Sequence, residues 1–214
     1  MAQTDDLARR VQRRWGLISG LTALALGTLL GVVIALRGNA ALGVDAEWME
    51  EIIEHRSTLW EVPSYVMNFL GGGWFSWVLA TAVTILLLFL NHRWTALYFA
   101  VASLGSSLLV QLLKLLLARA RPEQIMVSID SGSFPSGHVA NAATLAALVA
   151  IIVWRWWAVA AGAAYVILMA LSRTYLGAHW LSDTVGGLLI GAGIAIIVWA
   201  PFAERVLSER RPTQ

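Results

Sequence analysis

Residues 172–183 read Ser-Arg-Thr-Tyr-Leu-Gly-Ala-His-Trp-Leu-Ser-Asp, a polar island between the apolar runs Trp156 to Leu171 and Leu181 to Ala200. Apolar runs of about 20 residues match a bilayer core of about 30 Å as helices. The island therefore reads as a turn at a membrane surface that joins two spans. Two more islands interrupt the chain in the same way, Lys114 to Pro122 and Pro135 to His138, each at or near the end of an apolar run. Between them the three stretches present Lys114, Arg121, Ser136, His138, Arg173, His179 and Asp183.

Composition agrees with a membrane setting. Of 214 residues, 58% are hydrophobic and only 13% charged, with a mean hydropathy of +0.70. A soluble domain carries about 25% charged and 45–50% apolar residues. The formal net charge of +2 gives no basic surface for nucleic acid, and the 11 tryptophans suit interfacial belts. With no cysteine, disulfides, thiolate catalysis and cysteine-based metal sites are excluded.

Leu17 to Leu36 runs without a charge behind a basic arm that holds Arg9, Arg10, Arg13 and Arg14. A cleaved signal peptide competes for this segment, but the apolar run continues too far, and an uncleaved first span fits better. In the mixed segment from Arg37 to Gly73, Trp48, Met49, Ile52, Ile53, Leu59 and Trp60 recur at near-helical spacing opposite Glu47, Glu50, Glu51 and Glu54. That pattern suits a helix lying on the membrane surface, with an ordinary solvated loop helix as the plainer alternative. Pro63 and Gly71-Gly72-Gly73 are expected to punctuate its end. The expected fold is an all-α polytopic membrane protein of one domain over 1–214: six transmembrane helices and an additional interfacial helix. The arm is 1–16, the spans lie near 17–36, 74–90, 94–118, 136–154, 156–171 and 181–200, and the tail is 201–214.

Six spans put both termini on one side. That side then collects Arg9, Arg10, Arg13, Arg14, Arg93, Arg155, Arg205, Arg210 and Arg211, against Arg37, Arg56 and Arg119 opposite once the island cations are set aside. The positive-inside rule makes the first side cytoplasmic. All three islands then share the non-cytoplasmic face of a cell inner (plasma) membrane.

Lys114 and Arg121 are seven residues apart, two helical turns, and Pro122 ends any helix there. A lysine at a span end can simply snorkel to the interface, but two cations on one face describe an anion clamp. In Pro135-Ser136-Gly137-His138, Ser136 is placed to cap the following Ala-rich helix, whose first amides with a glycine beside them make a phosphate seat. His179 and Asp183 are four apart, so on one helical turn the carboxylate reaches the imidazole and fixes its tautomer. An activated nucleophile or base needs that arrangement. No third ligand lies at metal spacing, so no metal and no cofactor are expected, and His55 and His92 read as bystanders. Ionisable groups near spans are costly, and phosphoryl transfer uses both the cations and the histidines. A transporter or flippase for an anionic lipid would use the cations but leave the histidines and Asp183 without work.

The three islands resemble the signature of the type 2 phosphatidic acid phosphatase superfamily of membrane lipid phosphatases. Lys114 with Arg121-Pro122, Pro135-Ser136-Gly137-His138, and Ser172-Arg173 with His179 and Asp183 match it in order and in spacing. The resemblance implies that His179 is a nucleophile forming a phosphohistidine, with Asp183 orienting it. His138 would protonate the leaving oxygen and later activate water. Lys114, Arg121, Ser136, Gly137 through its amide, and Arg173 would hold phosphate oxygens without metal. The implied substrate is a lipid phosphate or diphosphate, such as phosphatidic acid, phosphatidylglycerophosphate or a polyprenyl diphosphate. Transfer of the phosphoryl group to another lipid stands as the alternative.

Overall fold

The computed structural model describes residues 2–128 and 131–210, and of residues 2–13 the backbone alone. Arg9, Arg10, Arg13 and Arg211 from the orientation count therefore lie outside the described side chains. The described residues form eight helices and no strand: α1 (Ala2–Leu36), α2 (Gly43–Glu54), α3 (Thr58–Gly71), α4 (Gly73–Phe89), α5 (Arg93–Leu117), α6 (Gly137–Val153), α7 (Trp156–Tyr175) and α8 (Leu181–Glu209).

Each of the six apolar runs is helical. Four helices are long and apolar enough to cross a membrane: α1 from Arg14, α5, α7 and α8. A fifth crossing results if α3 and α4 are taken together, as a pair bent by 54°. The sixth apolar helix, α6, has only 17 residues, about 26 Å at 1.5 Å per residue. It sits against α5, α7 and α8, with Val139, Ala140, Ala142, Ala143 and Leu148 buried. Its neighbours, rather than lipid, cover much of its surface.

The surface segment is two helices rather than one. Helix α2 exposes Glu47, Glu50, Glu51 and Glu54 and buries Met49, while packing on α7 and α8. The chain then breaks between Glu54 and Thr58 and restarts as α3. Pro63 does not end this segment but stands inside α3. It is the sixth residue of the helix, past the first turn, and its missing N–H removes one intrahelical bond. The glycines make the real break: Gly72 has φ −59° and ψ 146°, and α4 leaves from it at the 54° bend. Helix α8 also carries an internal proline, Pro201, and runs on to Glu209.

Helix α8 is central, with α1, α5 and α6 packed on it, α7 on α6, α4 on α5 and α3 on α7. Small residues let the backbones approach. A Cβ on Gly187 would lie 2.5 Å from Ser136 O, and one on Gly191 would lie 2.3 Å from Ala140 O. Without a hydrophobic driving force between helices in lipid, such close backbone contact is what binds them. Here it also fixes the start of α6 against the start of α8. The C-terminal ends of α1, α5 and α7 and the N-terminal ends of α6 and α8 share one end of the bundle, roofed by α2 and α3.

Candidate active site at one end of the bundle

Three chain reversals build the site. Helix α5 stops at Leu117 because Ala118 adopts φ 44°, ψ 37°. Lys114 lies in its last turn, 7% exposed, and Nζ donates to Gly132 O at 2.5 Å. The loop returns Arg121, whose Nε donates to Ser131 O at 3.0 Å and Nη2 to Gly132 O at 3.1 Å, while Nη1 donates to Ala178 O. Lys114 and Arg121 therefore meet on one loop carbonyl across the helix end, not along one helix face.

Ser136 stands at the N-cap position of α6, its N donating to Asp183 O at 2.9 Å. Its hydroxyl makes no cap bond with the helix and is buried without a protein partner. Gly137 begins the helix, and a Cβ there would only touch Val110 at 3.7 Å and Lys114 Cε at 3.9 Å. His138 follows. Its Nε2 lies 3.1 Å from Asn68 O, and a carbonyl only accepts, so Nε2 carries the proton and the neutral ring keeps its lone pair on Nδ1.

The third reversal needs a glycine. Gly177 has φ +63°, and a Cβ there would lie 2.5 Å from Gln124 O. The turn sends Ala178 N and His179 N back to Arg173 O, at 3.0 and 3.3 Å, which stands His179 beside Arg173. Arg173 is fully buried; Nη1 donates to Asn68 Oδ1, while Nε and Nη2 have no protein partner. His179 is 2% exposed, with Nδ1 facing Asp183 Oδ2 at 3.6 Å and Nε2 facing Arg121 Nη1 at 3.4 Å. The 3.6 Å separation is longer than a hydrogen bond. His179 also precedes α8, so the spacing of four runs from the turn into the first helical turn rather than along one helix. Asp183 in turn accepts from Trp180 N at 2.9 Å, closing the start of its own helix. Burial, with Arg173, Lys114 and Arg121 close by, pushes the His179 imidazole well below the usual histidine value. The ring is neutral at neutral pH.

All eight sequence candidates thus converge: Lys114, Arg121, Ser136, Gly137, His138, Arg173, His179 and Asp183. His55 and His92 lie apart from them, His55 capping the end of α2 with its ring 3.0 Å from Glu51 O.

Residues 93–206 of this chain match the PAP2 superfamily. The chain belongs to that superfamily. A lipid A 1-phosphatase of Rhizobium johnstonii is 33% identical over 122 residues, 52% of this chain and 49% of that one. Phosphatidylglycerophosphatase B of Bacillus subtilis is 30% identical over 121 residues, 51% of this chain and 59% of that one. The chain therefore spans about half the length of the curated relatives it matches. The crystal structure of a transmembrane PAP2 type phosphatidylglycerolphosphate phosphatase from Bacillus subtilis superposes with a TM-score of 0.74, covering 92% of this chain and 99% of that one. At 20% identity that likeness is one of fold.

Three polar side chains of this PAP2 chain join the site from outside the signature residues. Asn68 of α3 accepts from Arg173 on its side-chain Oδ1 and from His138 on its backbone carbonyl. Arg119, 1% exposed, donates from Nη1 to Asp183 Oδ1 at 2.6 Å and from Nη2 to Asp45 Oδ2 at 2.8 Å. Asp45 of α2 is fully buried. The signals were faint. Asn68 is a lone amide in an apolar stretch, Arg119 looked like one more surface charge, and Asp45 stands apart from the exposed glutamate face of its helix.

Proposed function

We propose that the chain is an integral-membrane phosphatase that hydrolyses a lipid phosphate or diphosphate through a phosphohistidine on His179. The observation that carries this reading is Arg173, a fully buried guanidinium whose Nε and Nη2 have no protein acceptor, next to the buried, neutral His179. A buried cation without its counter-ion is expensive, and an anion with several oxygens balances it. The names of the matched relatives, a lipid A 1-phosphatase and a phosphatidylglycerophosphatase, support a lipid-borne phosphate.

In this mechanism Arg173, Lys114, Arg121, the Ser136 hydroxyl and the Gly137 amide hold the nonbridging oxygens. Neutral His179 attacks phosphorus through Nε2, forming the N–P bond as the P–O bond to the lipid breaks. Protonated His138 gives the departing oxygen its proton from Nδ1. His138, now neutral, takes a proton from water, whose oxygen attacks phosphorus and releases phosphate, restoring His179. Asp183 faces Nδ1 and supports the positive ring of the intermediate. Fixed side-chain cations supply the charge, and no metal is needed.

The proposed site faces the cell exterior or periplasm. Among the described residues, Arg93, Arg155, Arg205 and Arg210 lie at the opposite end, which the positive-inside rule makes cytoplasmic, and the membrane is the cell inner membrane. Purified protein given phosphate-labelled phosphatidic acid, phosphatidylglycerophosphate and a polyprenyl diphosphate tests the reaction. Free phosphate, released in strong chelator and blocked by vanadate, is the expected result. Label appearing in an acceptor lipid would make the chain a phosphotransferase, and binding without cleavage would make it a transporter.

A further inference from the structure

Asp183 is held from a direction that the signature residues do not supply. Its Oδ2 accepts from Trp180 N and faces His179, while its Oδ1 accepts from Arg119. Arg119 also donates to Ser182 Oγ at 2.8 Å and to Ala40 O at 3.1 Å. Asp45 accepts from Arg119, from Ser182 N at 2.8 Å and from Ser182 Oγ at 2.7 Å. The indole of Trp180 lies 5.8 Å from the Arg119 guanidinium. The bonds close a ring that begins and ends in the first turn of α8, with both carboxylates and the guanidinium at 0% side-chain exposure.

We propose that Asp45 and Arg119 are positioning residues for the reaction at His179, the buried Asp45–Arg119–Asp183 ion triad fixing the Asp183 carboxylate where it faces the imidazole. The proposal rests on the phosphotransfer reading above. Two physical arguments carry it. Lys114 and Arg121 both act on His179 and both feel the Asp183 carboxylate, so a free Asp183 would be drawn to them. A carboxylate drawn to them would cancel part of the anion seat and leave Nδ1 with no carboxylate facing it. Arg119 binds Oδ1 and keeps Asp183 back from those cations. Asp45 then binds Arg119, so that one carboxylate does not carry the whole guanidinium. Two carboxylates and one guanidinium leave one net negative charge beside the ring. That charge balances the positive charge the ring gains when phosphorus bonds to Nε2.

A purely structural role explains less. Buried ion pairs stabilise a fold little, because desolvation offsets their attraction, and apolar replacements of similar volume do as well. The triad instead ties α2, the α5–α6 loop and α8 together at the one carboxylate beside the histidine.

The test compares the full-length chain with Asp45→Asn and Arg119→Lys, in detergent micelles with phosphatidic acid. The expected result is a loss of about 10- to 100-fold in kcat, by analogy with the range for partners that orient metal-binding histidines. KM and vanadate inhibition should stay within about threefold of wild type. In protein labelled with ¹⁵N-histidine, the His179 ring should move from a single Nδ1–H tautomer toward a mixture in both variants. A kcat within twofold of wild type, a loss seen equally in KM and vanadate affinity, or an unchanged tautomer would overturn the proposal. Asp45→Asn keeps volume and an acceptor, so it reports even if Arg119→Lys fails to fold. The ¹⁵N readout needs no turnover. Absence of any phosphate release from wild type would sink the functional reading, while the tautomer would still decide the positioning role.

Discussion

The two ends of the bundle treat buried polar groups in opposite ways. At the end away from the site, Glu209 at the close of α8 caps the start of α5. Its carboxylate accepts from Trp94 N at 2.7 Å, Thr95 N at 3.0 Å and Thr95 Oγ1 at 2.9 Å. A negative charge there also suits the positive end of the helix dipole. Arg205 lies 4.1 Å over the Trp94 ring, and Tyr98 OH donates to Ala195 O at 3.0 Å. At the site end, Arg173 Nε and Nη2, Ser136 Oγ, His179 Nδ1, Arg119 Nε, Asn39 Oδ1 and Trp48 Nε1 are buried with no protein partner. Among the described residues every such atom lies at this end. One end is satisfied by the protein alone and serves packing. The other is built with donors to spare, which costs stability and makes sense where a ligand completes the set.

Mutations can sharpen this contrast. The largest effect is expected at His179. His179→Ala should cut phosphate release by about 10³-fold or more, because an activated nucleophile has no substitute in the site. The protein should remain folded, since Nδ1 holds no protein hydrogen bond and Nε2 loses only a long 3.4 Å contact with Arg121 Nη1. Near-normal turnover, measured with labelled lipid phosphate, would remove His179 from the chemistry.

A smaller effect concerns pH. The His179 value lies below the usual one of about 6.5, so in the free enzyme the ring stays neutral as pH falls through 6.5. The acid limb that His179 imposes on kcat/KM should therefore lie well below pH 6.5. Arg173→Gln removes a nearby positive charge, which favours the protonated ring, and should move that limb upward. The substrate's own titration is common to both proteins, so the difference between the two profiles isolates the enzyme. The same sign governs stability: below about pH 6.5 the unfolded chain takes up a proton that folded His179 refuses, so His179 weakens the fold as pH drops. Identical limbs in the two proteins would place His179 outside the field of Arg173.

The smallest effect belongs to the other end. Glu209→Ala should cost about 1 kcal/mol, as loss of a helix cap does, and lower Tm by about 2–4 °C. It should change kcat by less than twofold. Thermal unfolding and initial rates on the same preparation check this, and a large fall in kcat would show that the two ends are not independent.

What could be read from the sequence follows the range of the interactions involved. Helical runs and the islands between them are local, and the all-α membrane fold with its eight site candidates follows from them. Backbone detail is less legible. Pro63 reads as a stop in the sequence but stands inside α3, and the apolar spacing runs on across the break at His55 to Ser57 that separates α2 from α3. The residues that hold the site escaped because their partners are remote in the chain. Asp45 binds Ser182 across 137 positions and Arg119 across 74, and Asn68 meets Arg173 across 105. Nothing in the periodicity of α2 or α3 reports such a partner. Arg119 shows the limit best: five residues after Lys114 and two before Arg121, it turns away from both because Ala118 reverses the chain.

The central claim is a covalent bond from phosphorus to His179. Rapid quenching of the enzyme with ³²P-labelled phosphatidic acid tests it directly. Label should appear on the protein within the first turnover, stable to alkali and lost in acid as a phosphoramidate is. It should map to His179 and vanish in His179→Ala. Turnover with no labelled protein at any quench time, or label that persists in His179→Ala, would contradict it.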